Sequence, residues 1–239
     1  MQRWLASLSK THQLAGGNNP LGSGLVKATL RGIRRTFGTA QREVRPLLRD
    51  DIFAILERMG DRPKNIRDKA LLLIGFAGAL RRSELVGLDV ADIEHVRQGL
   101  VIHFRFSKTD QDSKGRKIGI PFGRTRWSQV THLDNWLNLA EIKDGPVFRL
   151  LDKAGSPSAC RLSDEAVSLI VKRHVTDTGL SPDDFSGHSL RAGLATSAAK
   201  AGASAWKIRQ QAGHASDAML NRYIRDGGLF EHNAAGMVL

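Results

Sequence analysis

Cysteine is nearly absent from this chain: Cys160 is the only one among 239 residues. A single thiol cannot form a disulfide within the chain, which indicates a reducing compartment. The longest apolar run, residues 70–80, is too short to cross a bilayer. Residues 1–7 also lack the apolar core of a secretory signal. We therefore expect a cytoplasmic protein with no membrane partner.

Acidic residues are also scarce, with 24 Asp and Glu against 36 Lys and Arg and a formal net charge of +12. The excess is concentrated at the start, where residues 1–46 hold eight Lys or Arg and one acid, Glu43. A basic surface that only faces solvent would explain part of this charge. Its concentration in one segment favours a nucleic acid as the partner.

Hydrophobic periodicity predicts an α+β chain that is mostly helical, with one small antiparallel sheet. Residues 65–79 are apolar almost all round, which is typical of a helix at the centre of a core. Residues 100–106 and 117–121 alternate like two strands joined by a polar turn. Further helices are predicted over 4–12, 24–36, 50–59, 127–140, 164–175, 189–201, 205–212 and 217–225.

The only tyrosine, Tyr223, lies nine positions after His214. A phenol can act as a covalent nucleophile, although a lone tyrosine is more often a helix residue with its ring in the core. Arg81 and Arg191 could hold a phosphate, because the planar fork of a guanidinium matches two of its oxygens. Glu84, three residues after Arg81, could orient that arginine, but such pairs are also common as surface ion pairs.

His188 and Arg191 share the same three-residue spacing at the start of an alanine-rich helix. Both could face one oxyanion, which a helix N-terminus also favours; equally, His188 could replace an N-cap and Arg191 could be solvated. Lys108, at the hairpin turn, could protonate a leaving oxygen, or simply be exposed. Lys114 and Arg116 follow it, so the proton donor stays open, and spacing alone does not bring these groups together.

Four motifs in this order resemble the boxes of the tyrosine recombinases, the phage-integrase and Xer-like family. They are Gly78-Ala-Leu-Arg81-Arg-Ser-Glu84, the hairpin residue Lys108, His188-Ser-Leu-Arg191, and Gly213-His214 followed by Tyr223. The resemblance implies the DNA breaking-rejoining fold and a site-specific recombinase that needs no cofactor and no metal. It would act in integration or excision of a mobile element, or in Xer-like resolution.

The resemblance also implies the role of each group. Tyr223 would attack the scissile phosphate, leaving a 3′-phosphotyrosine and a free 5′-hydroxyl, while Lys108 protonates the leaving oxygen and Glu84 supports the site. The phosphate would be held by Arg81, Arg191, His188 and His214. The implied partners are double-stranded DNA and three further copies of the chain, as a homotetramer on two duplexes.

The domain organisation follows from the same resemblance. We expect a remnant of a helical, SAM-like core-binding domain over residues 1–41, a linker over 42–46, the catalytic domain over 47–225 and a tail over 226–239. Because only a remnant of the core-binding domain is expected, a non-catalytic DNA-binding relic is an alternative function. A type IB topoisomerase, which shares the chemistry, is a less favoured one. The basic residues expected to contact DNA are Arg31, Arg34, Arg35, Lys114 and Arg116.

Overall fold

The computed structural model describes residues 2–37, 44–104 and 115–213, and the chain divides into two compact units, 1–43 and 44–239. The first unit contains α1 (Gln2–Leu14), a 3₁₀ turn (Pro20–Gly22) and α2 (Gly24–Phe37). The side chain of Asn19 accepts a hydrogen bond from the backbone N–H of Leu21 and so starts that turn. Neither helix buries a described residue completely, and α2 exposes Arg31, Arg34 and Arg35.

The second unit is built mainly from helices. They are α3 (Arg49–Arg58), α4 (Pro63–Ala77), α5 (Arg82–Gly87), α6 (Gln129–Leu139), α7 (Asp164–Thr176), α8 (His188–Lys200) and α9 (Ala205–Ala212). Its strands are β1 (Ile93–Val96), β2 (Gly99–Phe104), β3 (Arg116–Pro121), β4 (Arg149–Leu151) and β5 (Pro157–Arg161). Strands β1, β2 and β3 form one antiparallel sheet in that order, and β4 pairs with β5.

Helix α4 lies at the centre of the core, and α6 and α8 pack against it. Residues 70–74 of α4 are all buried, which explains why this segment is apolar on nearly every face. Trp136 of α6 is fully buried and donates its indole N–H to the carbonyl of Val147 at 2.8 Å. In the described part of the chain, no helix is long and apolar enough to span a membrane.

The mostly helical α+β fold confirms the sequence prediction, with two local corrections. The sequence predicted a buried helix over 65–79, but α4 ends at Ala77, and Arg81 caps the next helix, α5. Between them Ala79 adopts a left-handed conformation with φ 47°. The strands β1, β4 and β5 were not predicted, because none of their residues is fully buried and their sequences lack apolar alternation. The predicted helix 217–225 lies outside the described residues.

Candidate active site

Arg81 and Glu84 are joined at the start of α5 by two hydrogen bonds, both of which Arg81 donates. The backbone N–H of Arg81 donates to Oε2 of Glu84 at 2.9 Å, and Nη1 of Arg81 donates to Oε1 at 2.5 Å. The side chain of Arg81 is 25% exposed and that of Glu84 only 9%. One carboxylate thus fixes both the backbone and the guanidinium of Arg81, through a helix cap rather than along a continuous helix.

Helix α8 carries Arg191 into the interior, where this residue is only 2% exposed. Its Nη1 donates to the carbonyl oxygen of Ala79 at 2.8 Å. Two residues further along α8, a Cβ on Gly193 would overlap the carbonyl oxygen of Leu47. Glycine therefore permits the close packing that buries this part of α8, and Arg191 is not a solvated surface charge.

The two arginines converge on one oxygen atom. Nη2 of Arg81 donates to the carbonyl oxygen of Gly213 at 3.2 Å, and Nη2 of Arg191 donates to the same oxygen at 3.3 Å. Gly213 ends α9 in a left-handed conformation with φ 60° and ψ 46°. Residues more than a hundred positions apart thus direct guanidinium donors to a common point, an arrangement suited to binding an oxyanion.

His188 is the first residue of α8, beside these guanidiniums, and its backbone N–H donates to Oγ of Ser186 at 3.1 Å. It reaches the surface, yet desolvation by surrounding protein atoms lowers the pKa of its imidazole, and repulsion from Arg191, Arg81 and Arg82 lowers it further. The neutral ring is therefore favoured near pH 7, and a neutral imidazole has a lone pair that can accept a proton.

Arg116 is also part of this cluster, which the sequence prediction did not anticipate. Its Nη2 lies 3.3 Å from Oε2 of Glu84, its guanidinium carbon lies 4.8 Å from the ring centre of Phe104, and its side chain is 18% exposed. Desolvation alone would raise the pKa of Glu84. The Arg81 N–H and the charges of Arg116 and Arg81 outweigh it, so the pKa is lowered.

A signal for this inward position was present in the alternation of β3. Arg116 precedes Ile118 and Ile120 by two and four residues, and both isoleucines are buried. Successive side chains of a strand point to opposite faces, so Arg116 belongs to the inner face and Lys117 to the outer one. The sequence prediction instead grouped Arg116 with the other basic residues of the hairpin as a DNA contact.

Four of the predicted site residues, Lys108, Lys114, His214 and Tyr223, lie outside the described residues, so their roles stay predictions. The α2 arginines lie in the first unit and are exposed. Among residues 2–37, 44–104 and 115–213, no group of three His, Cys, Asp or Glu side chains is arranged to hold a metal ion.

Comparison with known proteins is consistent with this geometry. The phage integrase family profile matches residues 45–227. An integrase/recombinase XerD homolog of Selenomonas ruminantium is 39% identical over 239 residues, covering 98% of this chain and 70% of the relative. The recombinase Cre of Escherichia phage P1 is 28% identical over 246 residues, covering 95% of this chain and 70% of the relative.

The same fold occurs in solved structures. The site-specific recombinase XerH, solved with a palindromic difH substrate in a post-cleavage complex, superposes with a TM-score of 0.60 at 20% identity. The match covers 84% of this chain but only 53% of XerH. At this identity the likeness concerns the fold, and the chain spans about half the length of that protein.

Proposed function

The chain belongs to the phage integrase family, the tyrosine recombinases, and we propose that it is a site-specific DNA recombinase with Tyr223 as its nucleophile. The observation that carries this proposal is the convergence of Arg81 and Arg191 on one oxygen atom beside the N-terminus of α8. Two permanent cations and a helix N-terminus favour the binding of a phosphate beside these guanidiniums. The DNA-bound state of XerH supports duplex DNA as the substrate.

In the proposed reaction, Oη of Tyr223 bonds to the scissile phosphorus and the bond to the 5′-oxygen breaks. Arg81 and Arg191 stabilise the charge that builds on the non-bridging oxygens. We assign the same role to His214, which is not among the described residues. The imidazole of His188 contacts the phosphate and accepts the phenolic proton; its lowered pKa keeps the ring neutral near pH 7, so that its lone pair is available. Lys108 gives a proton to the leaving 5′-oxygen.

The products are a 3′-phosphotyrosine and a free 5′-hydroxyl. Because one phosphate ester replaces another, a 5′-hydroxyl from a second duplex can reverse the step and exchange strands without an external energy source. Two duplexes and four strand cuts call for four nucleophiles, which is the basis for proposing a homotetramer on DNA. We also propose a cytoplasmic location, which the single cysteine favours, and the exposed α2 arginines as further DNA contacts.

A covalent-trapping experiment tests the nucleophile. Duplexes that bind the Tyr223→Phe protein are first selected from a randomised pool, so that a preferred sequence is obtained. These duplexes are then nicked close to each candidate cleavage position, so that a short 5′-hydroxyl fragment diffuses away after cleavage. We expect the unmodified protein to form a denaturant-resistant adduct with such DNA and the Tyr223→Phe protein to form none.

The outcomes separate the competing functions. An adduct that persists in Tyr223→Phe would show that another residue is the nucleophile. Salt-sensitive DNA binding without any adduct would identify a non-catalytic DNA-binding protein, with log K falling by about 0.9 per phosphate contact in log salt. Relaxation of supercoiled plasmid without exchange between two duplexes would instead favour a topoisomerase.

A further inference from the structure

Arg116 lies inside the arginine cluster rather than on the outer surface of the hairpin. It begins β3 and is the register partner of Phe104, the last residue of β2. Its guanidinium lies over the Phe104 ring, and Nη2 reaches Glu84. Phe104 and Arg116 are thus paired where β2 ends and β3 begins. Through Glu84, Arg116 connects this end of the two strands to the cap of α5.

Glu84 is shared by two cations at a largely buried position. Oε1 accepts from the guanidinium of Arg81, while Oε2 accepts from the backbone N–H of Arg81 and lies 3.3 Å from Arg116. Arg81 and Arg116 repel one another, and burial makes an uncompensated charge costly here. A single carboxylate therefore balances two guanidiniums, and the position of each depends on the other.

Arg116 also occupies the space that a side chain at residue 213 would need. A Cβ built on Gly213 would overlap Nη1 of Arg116. The carbonyl oxygen of this same glycine accepts hydrogen bonds from both Arg81 and Arg191. Arg116 thus lies against the residue on which the two phosphate-binding arginines converge, although the Arg116 guanidinium itself is directed to Glu84.

We propose that Arg116 is a positioning residue for DNA cleavage, which acts through Glu84 and Gly213 to hold Arg81 and Arg191 in their convergent geometry. This inference rests on the proposed recombinase function, and it replaces a DNA-contact role for Arg116 with one inside the protein. Its Nε is buried without a hydrogen-bond partner in the described part of the chain. The Glu84 carboxylate, the Phe104 ring and Gly213 define the surroundings of the guanidinium.

The charge balance gives a sharp prediction for a double-mutant cycle. Arg116→Met replaces the guanidinium with an unbranched apolar side chain and leaves Glu84 paired with Arg81, so the protein should still fold. A displacement of the phosphate-binding groups by about 1 Å can cost roughly 100-fold in rate. We expect cleavage at saturating DNA to slow by about 10- to 100-fold, with Arg116→Lys recovering part of the loss because it keeps the charge.

In a Glu84→Gln background, removing Arg116 should no longer slow cleavage. The carboxylate charge is gone, so Arg116 then only repels Arg81, and removing Arg116 should leave the cleavage rate unchanged or raise it. Positions that act together in this way are not additive, whereas independent positions are. A direct contact between Arg116 and DNA would give the same fractional loss of rate in both backgrounds.

The experiment measures adduct formation on the nicked duplexes for the four proteins of the cycle, together with DNA affinity at several salt concentrations. Lys117→Met is the matched control, since it removes one positive charge from the outer face of the same strand. Its effect on the rate should be equal whether Glu84 is present or replaced by glutamine. The salt dependence of binding should be the same for Arg116→Met and the unmodified protein.

Each result has a defined meaning. A rate for Arg116→Met within twofold of the unmodified protein would overturn the inference, as would a salt slope reduced by about 0.9, which is the change expected when one phosphate is no longer bound. If Arg116→Met does not fold, Arg116→Gln, which also removes the charge, replaces it in the cycle, and additive effects on the cleavage rate there would equally overturn the inference. If the unmodified protein forms no adduct at all, the proposed recombinase function fails before Arg116 is tested.

Discussion

Glu84→Gln is expected to destabilise the folded protein markedly. The substitution keeps the volume and one acceptor oxygen of Glu84 but removes the charge shared by Arg81 and Arg116. Because the Glu84 side chain is only 9% exposed, water cannot replace the missing carboxylate. Two guanidiniums then face each other without a counter-ion.

The contacts of Glu84 set the size of the expected decrease in the free energy of unfolding. Breaking a buried ion pair by removing one partner costs about 3–5 kcal/mol. The side chains of Arg81 and Arg116 remain 25% and 18% exposed, and glutamine still accepts one hydrogen bond, so the low end of that range applies. We expect a decrease of about 3 kcal/mol in the free energy of unfolding, or roughly 6–12 °C in Tm for a unit of this size.

The decrease in the free energy of unfolding caused by Glu84→Gln should also depend on pH. The pKa of Glu84 in the folded protein lies below its ordinary value of 4.5, so its stabilising effect is complete above pH 4.5 and disappears as the pH falls through the folded pKa. The difference between the unmodified protein and Glu84→Gln should therefore be full at pH 7. It should narrow as the pH falls below 4.5 towards the folded pKa, where the unmodified protein also loses the charge.

Urea unfolding at pH 7, 5 and 3.5 measures this difference. Glu57→Gln is the control, because Glu57 forms an ion pair with Arg126 on the surface, where their side chains are 55% and 68% exposed. We expect that control to change the free energy of unfolding by less than about 0.5 kcal/mol. A similarly small change for Glu84→Gln, or a loss that is equal at all three pH values, would refute the shared-carboxylate interpretation.

Three further outcomes are expected. Arg191→Gln should raise the pKa of His188, because repulsion from Arg191 adds to desolvation in lowering it; an NMR titration that finds no rise would contradict the assigned cause. Gly193→Ala should reduce the free energy of unfolding by about 1–3 kcal/mol, since its Cβ meets the backbone of Leu47, whereas Gly87→Ala meets nothing within 4 Å and serves as the control in the same urea experiment. Replacing the three α2 arginines by glutamine should weaken DNA binding and reduce its salt slope, by about 0.9 for each phosphate that these residues bind; an unchanged slope would exclude phosphate binding by them.

The long elements of the fold could be predicted from local patterns, because burial imposes a strong periodicity on them. Helix α4 is apolar on nearly every face since α6 and α8 cover it, and that composition is visible in the sequence. The β4–β5 pair leaves no residue fully buried, so its short strands carry no comparable signal. The turn after Ala77 was missed because apolar residues continue through Leu80 although the helix does not.

The residue types of the candidate site were recognisable, but their connections were not. Spacing indicated that Glu84 could orient Arg81, and the structure realises this through a helix cap. Arg116 was assigned to the DNA surface from the charge of its neighbours, although the two-residue alternation with Ile118 and Ile120 predicts an inward side chain. Periodicity therefore indicated the inward position of this side chain, which composition did not.

The convergence of Arg81 and Arg191 depends on hydrogen bonds to backbone carbonyls. A pattern of residue types cannot predict where those carbonyls lie. Arg191 donates to the carbonyls of Ala79 and Gly213, and both residues have left-handed φ values, 47° and 60°. A glycine after a helix often marks such a conformation, but an alanine with positive φ leaves no mark in the sequence and is costly by itself. Ala79 is fully buried between α4 and α5, so surrounding packing maintains its conformation. The orientation of Arg191 thus depends on a turn that only the folded core specifies.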